Sequence, residues 1–478
     1  MNWIRRITEV FGILAIILLI IYAFTIVYFS YRYPQTKWNW QQVDTKRTNF
    51  PKDFLWGTAT SAFQVEGNNT SSNWSDWEKG TYANGIPHIK NGDLSGNAAD
   101  QWNLYAEDIE LIKKLGLNSY RFSISWSKIQ PTLDGFDENA LKHYDDLIDS
   151  LIGADIMPMI TLHHFTHPKW FEEIGGFENR ENLKYFERFV NVVFRRYGNR
   201  VRMWCTFNEP NVYVISGYFN ANFPPGKHAP ALAGLVFENI LRAHTEVYNS
   251  MKQIDKELFH SKPPLKIGIV QSIFQFEPYR RWHLGDWFIA RTSANVFNGT
   301  TLGFFRDGKM KYWLPGIEER AFIDSNAPNT IDFIGLNYYS HYAYKFNLDF
   351  VESTKSLPVE GEEMTDMPYS IYTEGIYRAI EEVAKLGKPV IITENGIADA
   401  DDTRREKYIR QSLYAVSKAI EDGYDVRGYY YWSLIDNFEW AEGYSMKFGL
   451  YRVDLSTQER TLRNGARAFE EIVNRPTH

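Results

Sequence analysis

The stretch VRMWCTFNEPNV, residues 201–212, contains the pattern that decides the fold, an apolar run that ends on a carboxylic acid, Glu209. A second stretch, VIITENGI at 390–397, repeats this pattern with Glu394. Short, nearly continuous apolar runs are typical of β-strands that are covered on both faces. An ionisable residue at the end of such a strand therefore needs an explanation.

Further runs of the same kind recur along the chain, with helical patterns between them. The eight runs are FLWGTATSA (54–62), SYRFSISW (119–126), MPMITLHH (157–164), VRMWCTFNE (201–209), LKIGIVQS (265–272), DFIGLNYYS (332–340), PVIITENG (389–396) and VRGYYYWSLID (426–436). Stretches between them, such as AEDIELIKKLG and REKYIRQSLYAVSKAIEDG, carry apolar residues at helical spacing. Eight strands that alternate with helices predict an α/β fold, a closed parallel (β/α)8 TIM barrel.

The carboxyl ends of the strands form the reaction face of such a barrel. Glu209 ends the fourth run and Glu394 ends the seventh, so we expect both side chains to point into one cavity. A single glutamate at a strand end is more often solvated or ion-paired than catalytic. Two facing carboxyl groups are the apparatus of glycoside hydrolysis, in which one protonates the departing oxygen and the other attacks the anomeric carbon or activates water.

Composition narrows the possible partners. The net charge of −7 arises from 59 acidic and 52 basic residues that are interspersed, so no nucleic-acid partner is expected. The single cysteine, Cys205, excludes an internal disulfide framework and a cysteine-based metal site.

His163, His164 and His167 lie within five residues of one another, but the motif supplies no carboxylate and its spacing fits a chelate at a strand end poorly. A metal site is therefore disfavoured.

The N-terminus differs from the rest of the chain. Residues 10–28, VFGILAIILLIIYAFTIVY, form 19 positions without a charge, about the length needed to span a hydrocarbon core of ~30 Å. We expect a single-pass membrane protein with a transmembrane anchor at 1–30, a linker at 31–50 and one catalytic domain at 51–478. Basic residues flank the span on both sides, which leaves the side of the catalytic domain open.

Seven motifs carry a family resemblance: FLWGTATSAFQVEG, YRFSISWSKI, TLHHFTHPKWF, TFNEPNV, GLNYYS, ITENGI and YYYWSLIDNFEWAEGYSMKFGLYRVD. Together, from about Phe50 to Phe469, they resemble glycoside hydrolase family 1, whose members include β-glucosidases. The resemblance implies a (β/α)8 barrel, a retaining β-glycosidase mechanism, small-molecule glycosides as substrates and no cofactor.

The resemblance also assigns roles to residues. Glu209 of TFNEP matches the acid/base, and Glu394 of ITENG matches the nucleophile. Arg121 and Asn337 match the residues that support the nucleophile. The remaining assignments concern sugar binding and comprise Gln64, His164, Asn208, Tyr339, Trp432, Glu439 and Trp440. Among these, Tyr339 is expected to hydrogen-bond to the nucleophile, Asn208 to hold the sugar 2-hydroxyl, and Trp432 to stack on the sugar ring.

Two points in these motifs stay open. His163 is a second candidate beside His164, and it could instead be a core residue. Where the family commonly has tryptophan and aspartate after this histidine, the chain has Phe165 and Thr166, which implies changed surroundings of the sugar site rather than lost catalysis.

Glu439 disfavours 6-phosphosugars, because a carboxylate repels a phosphate. The sugar itself, glucose, galactose, fucose or mannose, is left open.

Two functions other than hydrolysis are compatible with the same barrel. A membrane-tethered transglycosylase would use the same two glutamates and pass the glycosyl unit to an alcohol or a glycolipid, and glycolipids are also candidate substrates for a tethered hydrolase. A non-enzymatic carbohydrate-binding barrel is the other alternative. It is disfavoured because both glutamates are present.

Overall fold

The computed structural model describes residues 2–260, 263–348, 353 and 355–475. The strands within this part of the chain are β1 (Leu55–Thr60), β2 (Ser119–Ser123), β3 (Met157–His163), β4 (Met203–Asn208), β5 (Lys266–Ser272), β6 (Gln275–Pro278), β7 (Lys309–Leu314), β8 (Glu318–Ile323), β9 (Phe333–Asn337), β10 (His341–Tyr344), β11 (Ser356–Leu357), β12 (Val390–Asn395), β13 (Val426–Trp432), β14 (Tyr451–Val453) and β15 (Arg460–Leu462). Eight of them, β1, β2, β3, β4, β5, β9, β12 and β13, form a closed barrel in this order.

All neighbours in the barrel pair in parallel, and β13 closes the barrel by pairing with β1. Each of the eight apolar runs found in the sequence supplies one barrel strand, so the predicted TIM barrel is confirmed. The strands are buried along almost their whole length, as near-continuous apolarity requires. Short accessory sheets, β6–β10–β11, β7–β8 and β14–β15, lie outside the barrel.

Helices cover the outer face of the barrel. The helices of eight residues or more that follow the first strand are Gln101–Lys114, Glu138–Gly153, Leu183–Tyr197, Pro210–Tyr218, Pro230–Ile254, Leu284–Ala294, Thr300–Asp307, Gly375–Ala384 and Arg405–Glu421. Local sequence explains their starts, as at Asp137, whose carboxylate accepts hydrogen bonds from the backbone N–H groups of Asn139 and Ala140. The two predicted helical stretches quoted above correspond to Gln101–Lys114 and Arg405–Glu421, and each helix ends two residues before its stretch does.

A single long helix, Asn2–Arg32, precedes the barrel. Its apolar segment has a mean hydropathy of 3.0 and is not buried by the protein, so the helix is long and apolar enough to cross a membrane. It ends two residues beyond the expected boundary at 30, because Tyr31 and Arg32 continue the same hydrogen-bonded turns.

Residues 33–50, expected as a linker, lie against the barrel. The backbone N–H of Trp38 and the indole N–H of Trp40 both donate to the carboxylate of Glu374, at 3.2 and 3.0 Å. Farther on, the backbone N–H of Asn49 donates to Ser417 Oγ at 2.8 Å. The segment is therefore docked along its length.

Candidate active site

Both glutamates singled out from the sequence lie at barrel-strand ends where the strand pairing becomes irregular. The register of β4 against β5 shifts between Cys205 and Asn208, directly before Glu209. The register of β12 against β9 shifts between Ile392 and Glu394. Such irregularities change the direction of a side chain relative to a regular strand. Here they occur where a carboxyl group turns into the cavity, which both glutamates line.

Glu209 also adopts an unusual backbone conformation. Its φ of 44° lies in the left-handed region, which costs a non-glycine residue of order 1 kcal/mol or more. Pro210 follows as the first residue of helix Pro210–Tyr218, with a fixed φ that suits a helix start. The sharp change from strand to helix holds the carboxyl group of Glu209 at the mouth of the barrel.

Glu394 is held by a cation and a phenol. Arg121 Nη1 donates to Glu394 Oε1 at 2.6 Å, and the hydroxyl of Tyr339 donates to Glu394 Oε2 at 2.7 Å. Arg121 is only 1% exposed, so this ion pair is shielded from solvent. Both carboxylate oxygens of Glu394 thus accept a hydrogen bond, which fixes the orientation that a nucleophile requires.

Glu209 lies in a different electrostatic setting. The pKa of Glu209 is raised to about 8, chiefly by burial and next by the negative charge of Glu394, against the lowering effect of hydrogen bonds from Asn337 and Ser272. Asn337 Nδ2 donates to Glu209 Oε1 at 3.0 Å. At neutral pH the carboxyl group is therefore protonated, as a general acid requires.

A polar network joins the two carboxyl groups. Arg121 Nη2 donates to Asn208 Oδ1 at 2.6 Å, and Asn208 Nδ2 donates to His164 Nε2 at 3.1 Å. Asn337 Nδ2 lies 3.2 Å from the same Asn208 oxygen. Burial, and next the positive charge of Arg121, hold the pKa of His164 well below its usual range, so its ring is neutral and can accept from Asn208. The network fixes the Asn208 side chain between the two glutamates.

A third carboxyl group, Glu439, also lines the cavity. Gln64 Nε2 donates to Glu439 Oε2 at 3.2 Å. Burial raises the pKa of Glu439 to about 8, with the charge of Glu394 as the next cause, while hydrogen bonds from Trp432 and Gln64 lower it. Gln64 and Glu439 together offer donors and acceptors side by side, the arrangement that suits vicinal hydroxyl groups.

Aromatic side chains surround this polar group. The rings of Trp432 and Trp440 each lie 5.9 Å from the ring of His164. Phe165, which stands where the related motif commonly has tryptophan, packs edge-on against Trp440 at 5.2 Å. The substitution thus keeps an aromatic contact with Trp440.

The structure separates the two candidate histidines. His164 lines the cavity, whereas His163 packs edge-on against Phe177 and Tyr213, at 5.2 and 5.4 Å, outside it. His163 Nε2 lies 3.4 Å from His167 Nδ1. Within the part of the chain that the structure describes, no three histidine, cysteine or acidic side chains are arranged to hold a metal ion.

The cavity has a volume of about 470 Å³ and two unlike ends. The polar end holds the two glutamates, Asn208, His164 and Glu439. The other end is apolar and is lined by Val212, Ile215, Phe219, Phe274, Phe276, Ile289, Val296, Phe297, Leu314, Tyr342 and Tyr344.

Comparison with known proteins decides the family. The model of glycosyl hydrolase family 1 matches residues 46–477. The chain belongs to glycosyl hydrolase family 1. It is therefore a glycoside hydrolase, and the resemblance found in its motifs is confirmed.

Curated and solved relatives cover most of this family 1 chain. Beta-glucosidase A of Thermotoga maritima is 35% identical over 452 residues, which cover 89% of this chain and 97% of the relative. The beta-galactosidase of Pyrococcus woesei is 32% identical and covers 89% of this chain and 97% of its own length. Among solved structures, the beta-glycosidase from Pyrococcus horikoshii is 40% identical, with a TM-score of 0.78 over 89% of this chain and 95% of that one. A Thermotoga maritima beta-glucosidase solved in complex with castanospermine has the same TM-score at 33% identity over 89% of this chain and 98% of its own.

Several residues that sequence reasoning did not single out support the family 1 site. The hydroxyl of Thr161 accepts from Arg121 Nε at 3.1 Å, and the hydroxyl of Thr393 donates to Asn337 Oδ1 at 2.7 Å. Asn437 Oδ1 accepts from Gln64 Nε2 at 3.0 Å. All three lie inside motifs that carried the resemblance, and Ser272 ends the fifth apolar run. The rule that polar residues at strand ends face the cavity would have found Ser272.

Proposed function

We propose that this family 1 enzyme is a retaining β-glycosidase that hydrolyses terminal, non-reducing, non-phosphorylated β-D-glucosyl residues. The observation that carries the proposal is the contrast between its two glutamates. Glu394 accepts hydrogen bonds from Arg121 and Tyr339, while burial raises the pKa of Glu209 to about 8. One carboxyl group is prepared to attack and the other to donate a proton.

In the first step, Glu394 attacks the anomeric carbon as the bond to the leaving oxygen breaks. The proton of Glu209 passes to that oxygen, so the aglycone departs as a neutral alcohol. Asn208, held by Arg121 and Asn337, is placed to bind the 2-hydroxyl, where hydrogen bonds strengthen in the transition state.

In the second step, Glu209 is a carboxylate and takes a proton from the incoming water. The water oxygen attacks the anomeric carbon and the bond to Glu394 breaks. Two inversions give net retention, and Glu209 returns to its protonated form. Loss of the negative charge on Glu394 during the covalent stage removes one cause of the raised pKa of Glu209, which makes its deprotonated form less costly at that stage.

The polar end of the cavity supports a neutral sugar as substrate. Its hydroxyl-binding group is expected to comprise Gln64, His164 and Glu439, with Trp432 and Trp440 as apolar surfaces for the ring. The lining residues that the structure describes include neither lysine nor arginine, so a phosphate would find no positive side chain to balance its charge. The named glucosidases among the relatives support glucose as the first candidate sugar.

Transfer to an alcohol is a second candidate activity. The apolar end of the cavity favours it, because an apolar lining can hold an alcohol acceptor in the place that the leaving aglycone vacates. The chemistry differs from hydrolysis only in the second step. A rising ratio of alkyl glucoside to glucose with increasing alkanol would support this activity, and a product mixture insensitive to the alkanol would exclude it.

We further propose that residues 1–30 anchor the enzyme in a membrane, that 31–50 connect the anchor to the barrel, and that 51–478 form the catalytic domain. The length and apolarity of helix Asn2–Arg32 support the first assignment. The family match from residue 46 onward supports the last.

A panel of nitrophenyl glycosides tests the proposed activity. Release of nitrophenol from the β-glucoside, with less from the β-galactoside, β-fucoside or β-mannoside and none from the α-glucoside or the 6-phospho-β-glucoside, is the expected result. Turnover of the α-glucoside or the 6-phospho-β-glucoside in preference to the β-glucoside would contradict it.

A further inference from the structure

The helix Leu284–Ala294, called here the wall helix, lies between the N-terminal helix and the cavity. On one side its Trp287 stacks on Phe29 of the N-terminal helix, with ring centroids 5.3 Å apart. On another side its Ile289, Thr292 and Ser293 line the cavity. Residues 287 and 289 project about 200° apart on an α-helix, so the wall helix separates the N-terminal helix from the cavity.

The contact between the N-terminal helix and the barrel is specific. Tyr33 lies 6.2 Å from Trp287 between ring centroids, and its backbone carbonyl accepts from Arg281 Nη2 at 2.7 Å. The guanidinium group of Arg291 lies 4.1 Å from the centre of the Tyr33 ring. This combination of stacking, hydrogen bonding and cation–π contact fixes the position of the helix on the barrel.

The contact reaches into the apolar span itself. The hydroxyl of Tyr22 donates to the backbone carbonyl of Trp282 at 2.5 Å. Twelve residues separate Val10, the start of the uncharged run, from Tyr22, which amounts to about 18 Å of helix. The uncharged run ends at Tyr28, six residues farther on, so the barrel surface beside Tyr22 lies next to the end of the span that is nearest the barrel.

The barrel surface at this place carries exposed aromatic side chains. Trp282 and Phe288 are 62% and 46% exposed, and Phe346 is also exposed. Phe346 lies beside the first turn of the wall helix, where its backbone N–H donates to Asp286. We call Trp282, Phe288 and Phe346 the membrane-side patch. Exposed aromatic residues beside a membrane span are typical of the interface between hydrocarbon and headgroups.

We propose that the membrane-side patch lies in the bilayer interface, so that the apolar end of the cavity, one helix away, receives glucosides whose lipid aglycone is seated in the membrane. The occupant of the patch is thus a lipid bilayer, as its continuity with the anchoring helix indicates. A helix with its side chains is about 10 Å wide, so about this distance separates the cavity from the bilayer that we propose. The substrate class rests on the proposed glucosidase activity, whereas the membrane contact does not.

Site-directed spin labelling tests the contact directly. The chain has a single cysteine, Cys205, which is buried, so a new cysteine at the surface can be labelled selectively. Full-length W282C is reconstituted in phosphatidylcholine vesicles and compared with I152C, because Ile152 is 41% exposed on helix Glu138–Gly153 between β2 and β3. The label at 282 is expected to collide with oxygen and to be shielded from a water-soluble nickel chelate, while the label at 152 shows the opposite preference. Equal access of the chelate to both labels would overturn the proposal.

Kinetics test the substrate class. The variant W282S/F288S is expected to hydrolyse a soluble nitrophenyl β-glucoside like the wild type, and a long-chain alkyl β-glucoside embedded in vesicles at least tenfold more slowly. The control I152S should match the wild type on both substrates. An unchanged rate of W282S/F288S on the embedded glucoside would overturn the proposal. A wild type inactive on the soluble glucoside would refute the glucosidase function instead, with the spin-label result still deciding the membrane contact.

Discussion

The two ends of the cavity are built in different ways. At the polar end, Asn208, Glu209 and Glu394 lie at barrel-strand ends, whereas Glu439 follows β13 by seven residues. Each of them is held by a hydrogen-bond partner, as Glu394 is by Arg121 and Tyr339. At the apolar end, the lining comes from helices and accessory strands outside the barrel, including the wall helix. In the proposed mechanism the chemistry thus depends on the barrel strands, and contact with the aglycone depends on elements outside them.

The same difference appears in the energetics. Truncation of a side chain at the polar end leaves a buried charge or hydrogen-bond donor without its partner, which has a high cost in free energy. A deletion at the apolar end removes only contact area, at about 25 cal/mol per Å². We therefore expect large effects on all substrates at one end and modest, substrate-dependent effects at the other.

The largest effect is expected for E394A at the polar end. Loss of the nucleophile should lower kcat by roughly 10⁴-fold or more for every glucoside, whatever its leaving group. Steady-state rates with nitrophenyl and methyl β-glucosides measure this. A matched control is E442A, because Glu442 also lines the cavity but lies 2.9 Å from Lys90, away from the two catalytic carboxyl groups. A variant E394A with rates near those of E442A would remove Glu394 from the mechanism.

E209A should divide substrates by leaving group. Loss of the general acid should cost about 10²–10⁴-fold for methyl β-glucoside and little in the first step for a dinitrophenyl glucoside, which needs no protonation. Azide should restore turnover and give β-glucosyl azide. If azide instead gives β-glucosyl azide with E394A and α-glucosyl azide with E209A, the two roles are exchanged.

The pH profile should report the same carboxyl group. The pKa of Glu209 is raised to about 8, so its acid form is present below this pH and is lost as the pH rises through it. For methyl β-glucoside, kcat/KM should therefore fall on the alkaline side with a midpoint near 8, and E209Q should lose this limb. A profile that stays flat to pH 10 would contradict the assignment.

Y339F should have an intermediate effect. It removes the 2.7 Å hydrogen bond to Glu394, and a hydrogen bond to a charged group is worth about 1.5–3 kcal/mol, or roughly 10- to 100-fold in kcat. The control is Y338F, whose hydroxyl donates to the carbonyl of Tyr372 instead. Similar kcat values for the two variants would show that Tyr339 acts only through folding.

The smallest of these effects is expected at the apolar end. I289A should lower kcat/KM for a long-chain alkyl glucoside by about tenfold, or ~1.4 kcal/mol, and leave methyl β-glucoside nearly unchanged. I376A removes an equally buried side chain outside the cavity and controls for stability. Equal losses on both glucosides would show that Ile289 does not contact the aglycone.

The sequence predicted the barrel and its polar end well for a physical reason. Residues such as Glu209, Asn208 and Glu394 lie at the ends of buried strands, and strand ends are recognisable from apolar runs. The family resemblance supplied Gln64, His164 and Glu439, whose partners no local pattern reveals. Thr161 and Thr393 were missed because a hydroxyl inside a strand gives no signal of what it holds.

The apolar end of the cavity and the docked segment 33–50 could not be predicted from apolar runs in the sequence. Their contacts join residues far apart in the chain, such as Phe29 with Trp287 and Trp40 with Glu374. A polar segment between an apolar helix and a barrel looks like a linker in sequence. Only the three-dimensional arrangement shows that residues 33–50 lie on the barrel and that the wall helix contacts both the anchor and the cavity.

The stereochemistry of the first product tests the central claim most directly. Proton NMR of the wild-type enzyme with nitrophenyl β-glucoside, recorded within the first minutes of turnover, distinguishes the two anomers of free glucose before they equilibrate. Double displacement through Glu394 predicts that β-glucose forms first and that α-glucose grows in later by mutarotation. Initial formation of α-glucose would contradict the account, because it would mean that water attacks directly and that no glycosyl-enzyme forms.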